Sequence, residues 1–245
     1  MNSMKHRKTI RKYSDRPIPD DVMNELLETA CRASTMGGMQ LYSIIVTKDE
    51  ETKKELSPLH FNQPMVMNAP AVLTFCADYH RFTRWCGLRN ADAGYDNFES
   101  FYNAMIDALL AAQTFCNAAE EKGLGICFLG TTSYNPNEII DVLHLPELVF
   151  PVTTITVGYP AEDPALQDRL PLQGVVHRDR YSDYTDEEIE DIYRYKESLE
   201  VNKGFVAENH KENLAQVFTD VRYRRDDNER SSQEMLKALK RQKFI

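Results

Sequence analysis

Apolar residues follow two different patterns along the first two thirds of this 245-residue chain. Short runs that are almost wholly apolar predict β-strands, at residues 41–47, 72–78, 126–130 and 153–158. Apolar residues on one face of the helix predict an α-helix at residues 17–34, and an almost wholly apolar segment predicts another at 104–121. Helices are also expected at the charged segment 49–57 and at residues 137–145. Strands alternating with helices favour an α/β or α+β sheet sandwich, and we expect a single domain because no linker or internal repeat interrupts the pattern.

Two parts of the pattern indicate assembly with a second subunit. The segment 104–121 is rich in alanine and apolar on almost every side, so its helix should be central to the fold or to a subunit interface. Lys122 and Gly123 then provide a helix stop. From about residue 183 the chain is charged and predicts two helical stretches joined around NKGF (202–205). We expect this long polar tail to extend over a partner subunit.

Composition narrows the functional classes. The chain has 38 acidic residues against 29 Lys and Arg, a net charge of −9, which gives little electrostatic reason to expect nucleic acid as the main partner. No apolar run approaches the ~20 residues that cross a bilayer, and no signal-peptide core follows the basic N-terminal residues. We therefore expect a cytoplasmic protein without a membrane partner.

Cysteine and histidine spacing argues against metal and dithiol chemistry. Cys31, Cys76, Cys116 and Cys127 have apolar neighbours, which predicts reduced thiols in the core. The five cysteines include no CxxC pair and the six histidines include no HExxH motif. Neither a redox dithiol nor a metal site is therefore expected.

The segment HRKTIRKY (6–13) concentrates positive charge near the start of an acidic chain. Four explanations compete: a targeting signal, a nucleic-acid arm, a solvated helix face, or a cradle for one small anion. If the segment were helical, Arg7 and Arg11 would share a face, where like charges repel unless an anion lies between them. Thr9 adds a hydroxyl donor, and two guanidinium groups with a hydroxyl suit a phosphate.

Three later stretches each allow a functional and an ordinary structural interpretation. GLGICFLG (123–130) lacks the spacing and context of a dinucleotide fingerprint, so a helix stop is preferred. FLGTTSYNPNEII (128–140) is either a ligand loop after a strand or an ordinary capped turn. GYPAEDPALQDRLP (158–171) is stiffened by prolines, and it either fixes the cation Arg169 or is a surface connection with a solvated arginine.

The motifs gain weight from their order along the chain. RKTIRKY lies near the N-terminus, ASTMGGMQ follows the first helix, Gln63 precedes an apolar strand, and GTTS follows another strand before the proline-rich loop. This combination resembles the FMN-dependent nitroreductase superfamily, and within it the oxygen-insensitive NADPH nitroreductases and NADPH–flavin oxidoreductases. The resemblance covers about residues 4 to 195. Its most specific parts are the opening R-x-[ST]-x-R-x-[FY] motif and the proline-rich loop.

The resemblance carries expectations for the whole molecule. It implies a three-layer α/β (α+β) sandwich in an intertwined homodimer, with residues 1–245 forming one FMN-binding domain that ends in a helical extension. FMN would be the cofactor and NADPH or NADH the electron donor. The substrate would be a small molecule, namely a nitroaromatic, a quinone or free flavin. Because the flavin carries such chemistry, no catalytic side chain is assigned.

The resemblance also implies cofactor contacts, position by position. Arg7 and Thr9 would serve the FMN phosphate, and Arg11 the N1/O2 edge of the flavin ring, where reduction places negative charge. In the first segment, Lys8 would be a further cation. Ser34 and Thr35 would be small polar contacts, Gln63 would reach the flavin ring, and Arg169 would be a second phosphate-binding arginine. The loop near flavin N5 would comprise Gly130, Thr131, Thr132 and Ser133.

Two positions depart from the family pattern. Thr131 stands where relatives often have a second glycine, which would narrow the space beside N5. Gln167 stands where they often carry a lysine, which would remove one cation from the phosphate site. Two other functions stay open: a protein that stores or senses FMN without turnover, and a nucleic-acid-binding module, against which the net charge weighs.

Overall fold

The computed structural model describes residues 4–245, which form two compact units. One unit runs from the start of the described chain to Ala165 and also includes Ser231–Ile245, and the other is Leu166–Arg230. The first unit carries the β-sheet, and the second is helical. Among the described residues, no helix is both long and apolar enough to cross a membrane.

The first unit alternates strands and helices as the apolar pattern predicts. Its strands are β1 (Tyr42–Thr47), β2 (Ala71–Asp78), β3 (Gly125–Leu129) and β4 (Val149–Gly158). Its helices are α1 (Asp20–Ala30), α2 (Glu50–Leu59), α3 (Pro64–Asn68), α4 (His80–Gly87), α5 (Phe98–Glu121) and α6 (Pro136–Val142). The four predicted strands and four predicted helices are confirmed, whereas α3 and α4 are additional. Short 3-10 turns lie at Met4–His6, Met36–Gly38 and Gly130–Ser133.

The four strands form one sheet in the order β1–β2–β4–β3, and each neighbouring pair is antiparallel. Strand β2 is buried along its whole length, as its nearly continuous apolar sequence predicts for a sheet covered on both faces. Ligands collect at the carboxyl ends of parallel strands, so the antiparallel pairing removes that argument for a ligand at the GTTS loop.

Helices cover both faces of the sheet. On one face, Leu26 of α1 and Phe115 of α5 pack in a cluster with apolar residues of all four strands. On the other face, Leu56 of α2 and Ile139 of α6 pack against β2 and β3. Side chains of β3 alternate between the two clusters because successive residues of a strand point to opposite faces. The expected three-layer α/β (α+β) sandwich is confirmed.

Helix α5 is longer than the apolar pattern predicts. It begins at Phe98, six residues before 104, where the Asn97 side chain accepts a hydrogen bond from the backbone N–H of Ser100. Gly123 follows the end of the helix with a φ of 77°, in the left-handed region, which confirms the predicted stop.

The second unit contains α7 (Asp186–Ser198), α8 (Glu200–Glu208), α9 (Leu214–Val217), a π-helical turn (Phe218–Arg222) and the start of α10 (Arg225–Arg241). A capping box begins α7: Thr185 Oγ1 accepts from the Glu188 N–H, and the Glu188 carboxylate accepts from the Thr185 N–H. The prediction of a joint at NKGF (202–205) is wrong, because this segment lies inside α8. The chain turns at Leu199 instead, which has extended backbone angles.

Cysteine positions follow the prediction in part. Cys76, Cys116 and Cys127 are buried free thiols, and burial raises the pKa of the Cys116 thiol to about 12. The prediction is wrong for Cys31, which is exposed because it follows the last turn of α1. Cys86 is buried although its polar and aromatic neighbours in sequence gave no such indication.

Candidate functional site

The basic N-terminal segment is extended rather than helical, and it covers the outer edge of β3. Thr9 forms a parallel bridge with Ile126, and the Ile10 N–H donates to the Ile126 carbonyl at 3.0 Å. Ile10 and Tyr13 are buried, and the Tyr13 hydroxyl donates to the Ile10 carbonyl at 2.8 Å. These two side chains anchor the segment, so its cations are held along one strand.

Acidic side chains of the loop after β4 hold the same segment. The Glu162 carboxylate accepts hydrogen bonds from the backbone N–H groups of Arg11 and Lys12 at 2.6 and 3.1 Å. Asp163 forms an ion pair with the Lys8 ammonium at 2.5 Å. Lys8, an expected FMN contact, is therefore already paired within the protein. The Glu162 bonds involve only the backbone of Arg11, whose side chain forms no ion pair among residues 4–245.

Arg7 is the most shielded of the arginines in this segment. Its side chain is 21% exposed, and its Nε lies 3.4 Å from Oε1 of Glu120 in the last turn of α5. Its guanidinium carbon lies 6.0 Å from the centroid of the Phe128 ring. The buried Nε has no hydrogen-bond partner among residues 4–245. A shielded guanidinium whose Nε has no hydrogen-bond partner suits a phosphate.

The turn after β3 is bonded to the segment that follows α2. Thr131 Oγ1 lies 2.8 Å from Nδ1 of His60 and 3.4 Å from Nε2 of Gln63. His60 is wholly buried, and burial lowers its pKa from 6.5 to about 4, so its imidazole is neutral. Phe61 and Tyr134 make an edge-to-face contact beside this pair. Gln63 and Thr131 are thus brought together, with His60 as a partner that the sequence did not single out.

The other hydroxyl groups of the GTTS turn donate hydrogen bonds to backbone carbonyls of the turn and of the residue before it. Thr132 is buried and its hydroxyl donates to the Leu129 carbonyl at 2.9 Å, while the Ser133 hydroxyl donates to the Gly130 carbonyl at 3.1 Å. A Cβ added at Gly130 would meet no atom within 4 Å, and this residue does not have a positive φ. The fold therefore does not require glycine here, and the open space would admit a ligand against the backbone.

A buried carboxylate fixes the loop that carries Ser34 and Thr35. Asp107 of α5 is 1% exposed, and its two oxygens accept from the backbone N–H groups of Met36 and Leu41 at 2.9 and 3.1 Å. Ser34 is exposed and Thr35 is half-buried. Asp107 could have been suspected from the sequence, because it is an acidic residue in the apolar middle of the helix, between Ile106 and Ala108.

Arg169 belongs to the second unit and is exposed. Its guanidinium donates to the carbonyl of the neighbouring Asp168 at 2.8 Å. The Asp168 carboxylate pairs instead with Lys196 at 2.6 Å. Within the described part of the chain, Arg169 therefore has no carboxylate partner of its own.

The chemistry of these groups fits FMN. The first unit brings the predicted contacts together in two places, along the segment beside β3 and at the turn beyond the end of that strand. Arg7 supplies a guanidinium with an unpartnered Nε for a phosphate. Thr131 and Gln63 supply hydroxyl and amide groups for the polar edge of a ring, and Gly130 leaves room for a planar group.

Comparison with known proteins shows similarity over most of the chain. The model of the nitroreductase family matches residues 4–159, which span the N-terminal segment, the sheet and its packed helices. The FMN reductase (NADPH) of Bacillus subtilis (strain 168) is 37% identical over 186 residues, which cover 75% of this chain and 74% of that protein.

Solved structures extend the likeness to the whole length. A crystal structure from Bacteroides fragilis NCTC 9343 has a TM-score of 0.99 at 62% identity and covers 100% of both chains. The NfrA1 nitroreductase from B. subtilis has a TM-score of 0.87 at 28% identity and covers 99% of this chain and 98% of its own. The similarity includes the C-terminal helices, where the sequence motifs give no indication.

Proposed function

The chain belongs to the nitroreductase family, and we propose that it is an FMN-dependent NAD(P)H oxidoreductase that reduces nitroaromatics, quinones or free flavin. One observation carries the proposal from the family to these residues. Arg7, the first arginine of the opening motif, is held beside β3 with its buried Nε lacking a hydrogen-bond partner among the described residues. Buried polar atoms without hydrogen-bond partners are uncommon, and an anionic ligand bound beside Arg7 would provide a partner for this one.

In this proposal the predicted site residues bind and orient the cofactor. Bound FMN supplies the hydride chemistry, and the protein supplies position and electrostatics. Arg7 and Thr9 bind the phosphate, as does Arg169. Arg11 has no side-chain ion pair within the described chain and is available to the ring edge. The remaining contacts proposed are Lys8, Ser34, Thr35, Gln63, Gly130, Thr131, Thr132 and Ser133.

We further propose that the active form is a homodimer. Phe98, Tyr102 and Leu109 of α5 are 56, 50 and 42% exposed, and their spacing places them on one side of the helix. A row of large exposed apolar side chains marks an interaction surface. The proposed location is the cytoplasm, and the whole chain is proposed to act as one FMN-binding domain with a helical extension.

Steady-state kinetics test the proposed activity. The protein is assayed with NADPH and with NADH against a nitroaromatic, a quinone and free FMN. The proposal predicts donor oxidation that depends on an acceptor and that is lost when flavin is removed. If NADPH and NADH were oxidised no faster with the protein than with free flavin alone, for every acceptor, storage or sensing of FMN would be favoured instead.

A further inference from the structure

Glu120 is a carboxylate in an electrostatically unfavourable place. It lies in the last turn of α5, where the helix dipole presents its negative end. Its side chain is only 12% exposed, and Oε2 has no hydrogen-bond partner among residues 4–245. Burial raises the pKa of Glu120, and only the neighbouring Arg7 opposes that effect. A buried oxygen without a partner is costly, so the presence of this carboxylate calls for an explanation.

The pairing with Arg7 is close enough for strong attraction but is not a hydrogen bond. The nearest atoms, Arg7 Nε and Glu120 Oε1, are 3.4 Å apart, and both partners are largely shielded from solvent. At this separation and burial, a carboxylate offsets much of the positive potential of a guanidinium. Glu120 therefore weakens the cation on which the proposed phosphate contact depends.

The neighbouring cation is neutralised in the same way. Lys8 pairs with Asp163 at 2.5 Å, so the Arg7 and Lys8 charges are both matched by acidic side chains of the first unit. The two pairs differ in setting, however. The Asp163 side chain is 88% exposed and its effect is screened by solvent, whereas that of Glu120 acts where screening is weak.

We propose that Glu120 is an affinity-setting residue of the flavin site: it offsets the charge of Arg7, so that the phosphate of FMN is held more weakly than Arg7 alone would hold it. The inference rests on the proposed function, in which Arg7 binds that phosphate. A built-in counter-ion at the phosphate contact lowers the affinity for FMN without loss of the ring contacts.

The test compares equilibrium binding of FMN and of riboflavin to the full-length apoprotein, measured by flavin fluorescence. Riboflavin has the same ring without the phosphate. Glu120→Gln removes the charge but keeps an oxygen that can face Arg7, and it should lower the Kd for FMN roughly tenfold. The Kd for riboflavin should not change. The matched control is Glu121→Gln on the adjacent, exposed residue, which should leave both constants unchanged.

A double-mutant cycle separates the charge effect from a merely structural one. The gain from Glu120→Gln should disappear in an Arg7→Gln background, because the charge that it unmasks is absent. Glu120→Met provides a second neutral variant with the same expected direction, in case the first does not fold. Replacing one partner by a neutral side chain of similar volume leaves no buried carboxylate behind.

Two outcomes would overturn the inference. One is an FMN affinity that is unchanged or weaker in folded Glu120→Gln and Glu120→Met, and the other is an equal gain for riboflavin. Failure of the proposed function looks different, since the wild-type protein would then bind neither flavin, or would bind FMN without oxidising NADPH or NADH.

Discussion

The two arginines of the opening motif have different surroundings, and this difference carries the account at the residue scale. Arg7 is shielded and faces Glu120, whereas Arg11 is exposed and its backbone, not its side chain, is bonded to Glu162. A shielded cation at the phosphate contributes to FMN binding whether the flavin is oxidised or reduced. A cation near the ring edge acts mainly when that edge becomes anionic.

Substituting each arginine by alanine should therefore change different quantities. Arg7→Ala should weaken FMN binding by roughly 1.5–3 kcal/mol, the loss expected for charge-assisted hydrogen bonds. Arg11→Ala should lower the reduction potential of bound FMN more than it weakens binding of oxidised FMN. Fluorescence titration and potentiometry of both variants measure the two effects. An unchanged potential in Arg11→Ala together with a shifted one in Arg7→Ala would reverse the assigned roles.

His60 should make stability depend on pH. Its pKa is 6.5 when unfolded and about 4 in the fold, so below pH 6.5 the unfolded chain binds more protons. The free energy of unfolding should accordingly fall as the pH decreases from 6.5 towards 4, by roughly 3 kcal/mol from this residue alone. Above pH 6.5 this contribution is fully present.

Denaturant unfolding between pH 4.5 and 7.5 checks the effect of His60. His60→Asn keeps a donor for Thr131 but cannot titrate, so its stability should fall less steeply with acid than that of the wild type. The control is His210→Asn, the same change at an exposed position. Equal pH dependence in the wild type and His60→Asn would contradict the assignment.

How far the candidate site could be predicted depends on the range of the interactions involved. Arg7, Thr9 and Arg11 form one local motif, so their grouping is visible in the sequence. Their partners are not, because Glu162 lies 151 residues from Arg11 along the chain. His60 has no local pattern of its own, and only the fold brings it to Thr131.

At the scale of elements, two glycines lie at the two ends of β3, and they differ in whether the fold has room for a side chain. A Cβ at Gly125 would lie 2.5 Å from Ile10 Cγ1, at the place where the N-terminal segment crosses the start of the strand. Gly130, just beyond the end of β3, has no such neighbour. The first glycine serves the fold, whereas the second is available to a ligand.

Alanine substitutions should separate these two roles. Gly125→Ala should destabilise the protein by about 1–3 kcal/mol, because the branched Ile10 side chain cannot yield without moving the segment. Gly130→Ala should leave the thermal stability of the apoprotein unchanged and weaken FMN binding. Calorimetry and flavin titration of both variants provide the comparison. A Gly130→Ala protein that binds FMN normally would argue against a ligand at this turn.

The predictability of the elements followed the length and regularity of their patterns. The strands and the long helices emerged because an apolar period extends over five residues or more. Helix α3 has only five residues, and α4 lies in an aromatic stretch without a period, so neither was predicted. The missed start of α5 depends on the Asn97 cap, a single side chain without a periodic signal.

For the whole molecule, the exposed side of α5 predicts a dimer. Light scattering of the flavin-loaded protein should give twice the 28.3 kDa chain mass. Leu109→Glu should shift it towards the monomer, because a charge would be buried in the interface. The comparison is Leu236→Glu, at a leucine of similar exposure on α10. A wild-type protein that stays monomeric at micromolar concentration while holding FMN would contradict the assignment.

Anaerobic titration of the FMN-loaded protein with NADPH tests the central claim most directly. If the chain is an FMN-dependent oxidoreductase, about one equivalent of nucleotide per chain should bleach the visible flavin absorbance, and adding a quinone or a nitroaromatic should restore it. NADH in place of NADPH provides the second arm. A protein that takes up no FMN, or whose bound FMN stays oxidised with excess NADPH and excess NADH, would contradict the account.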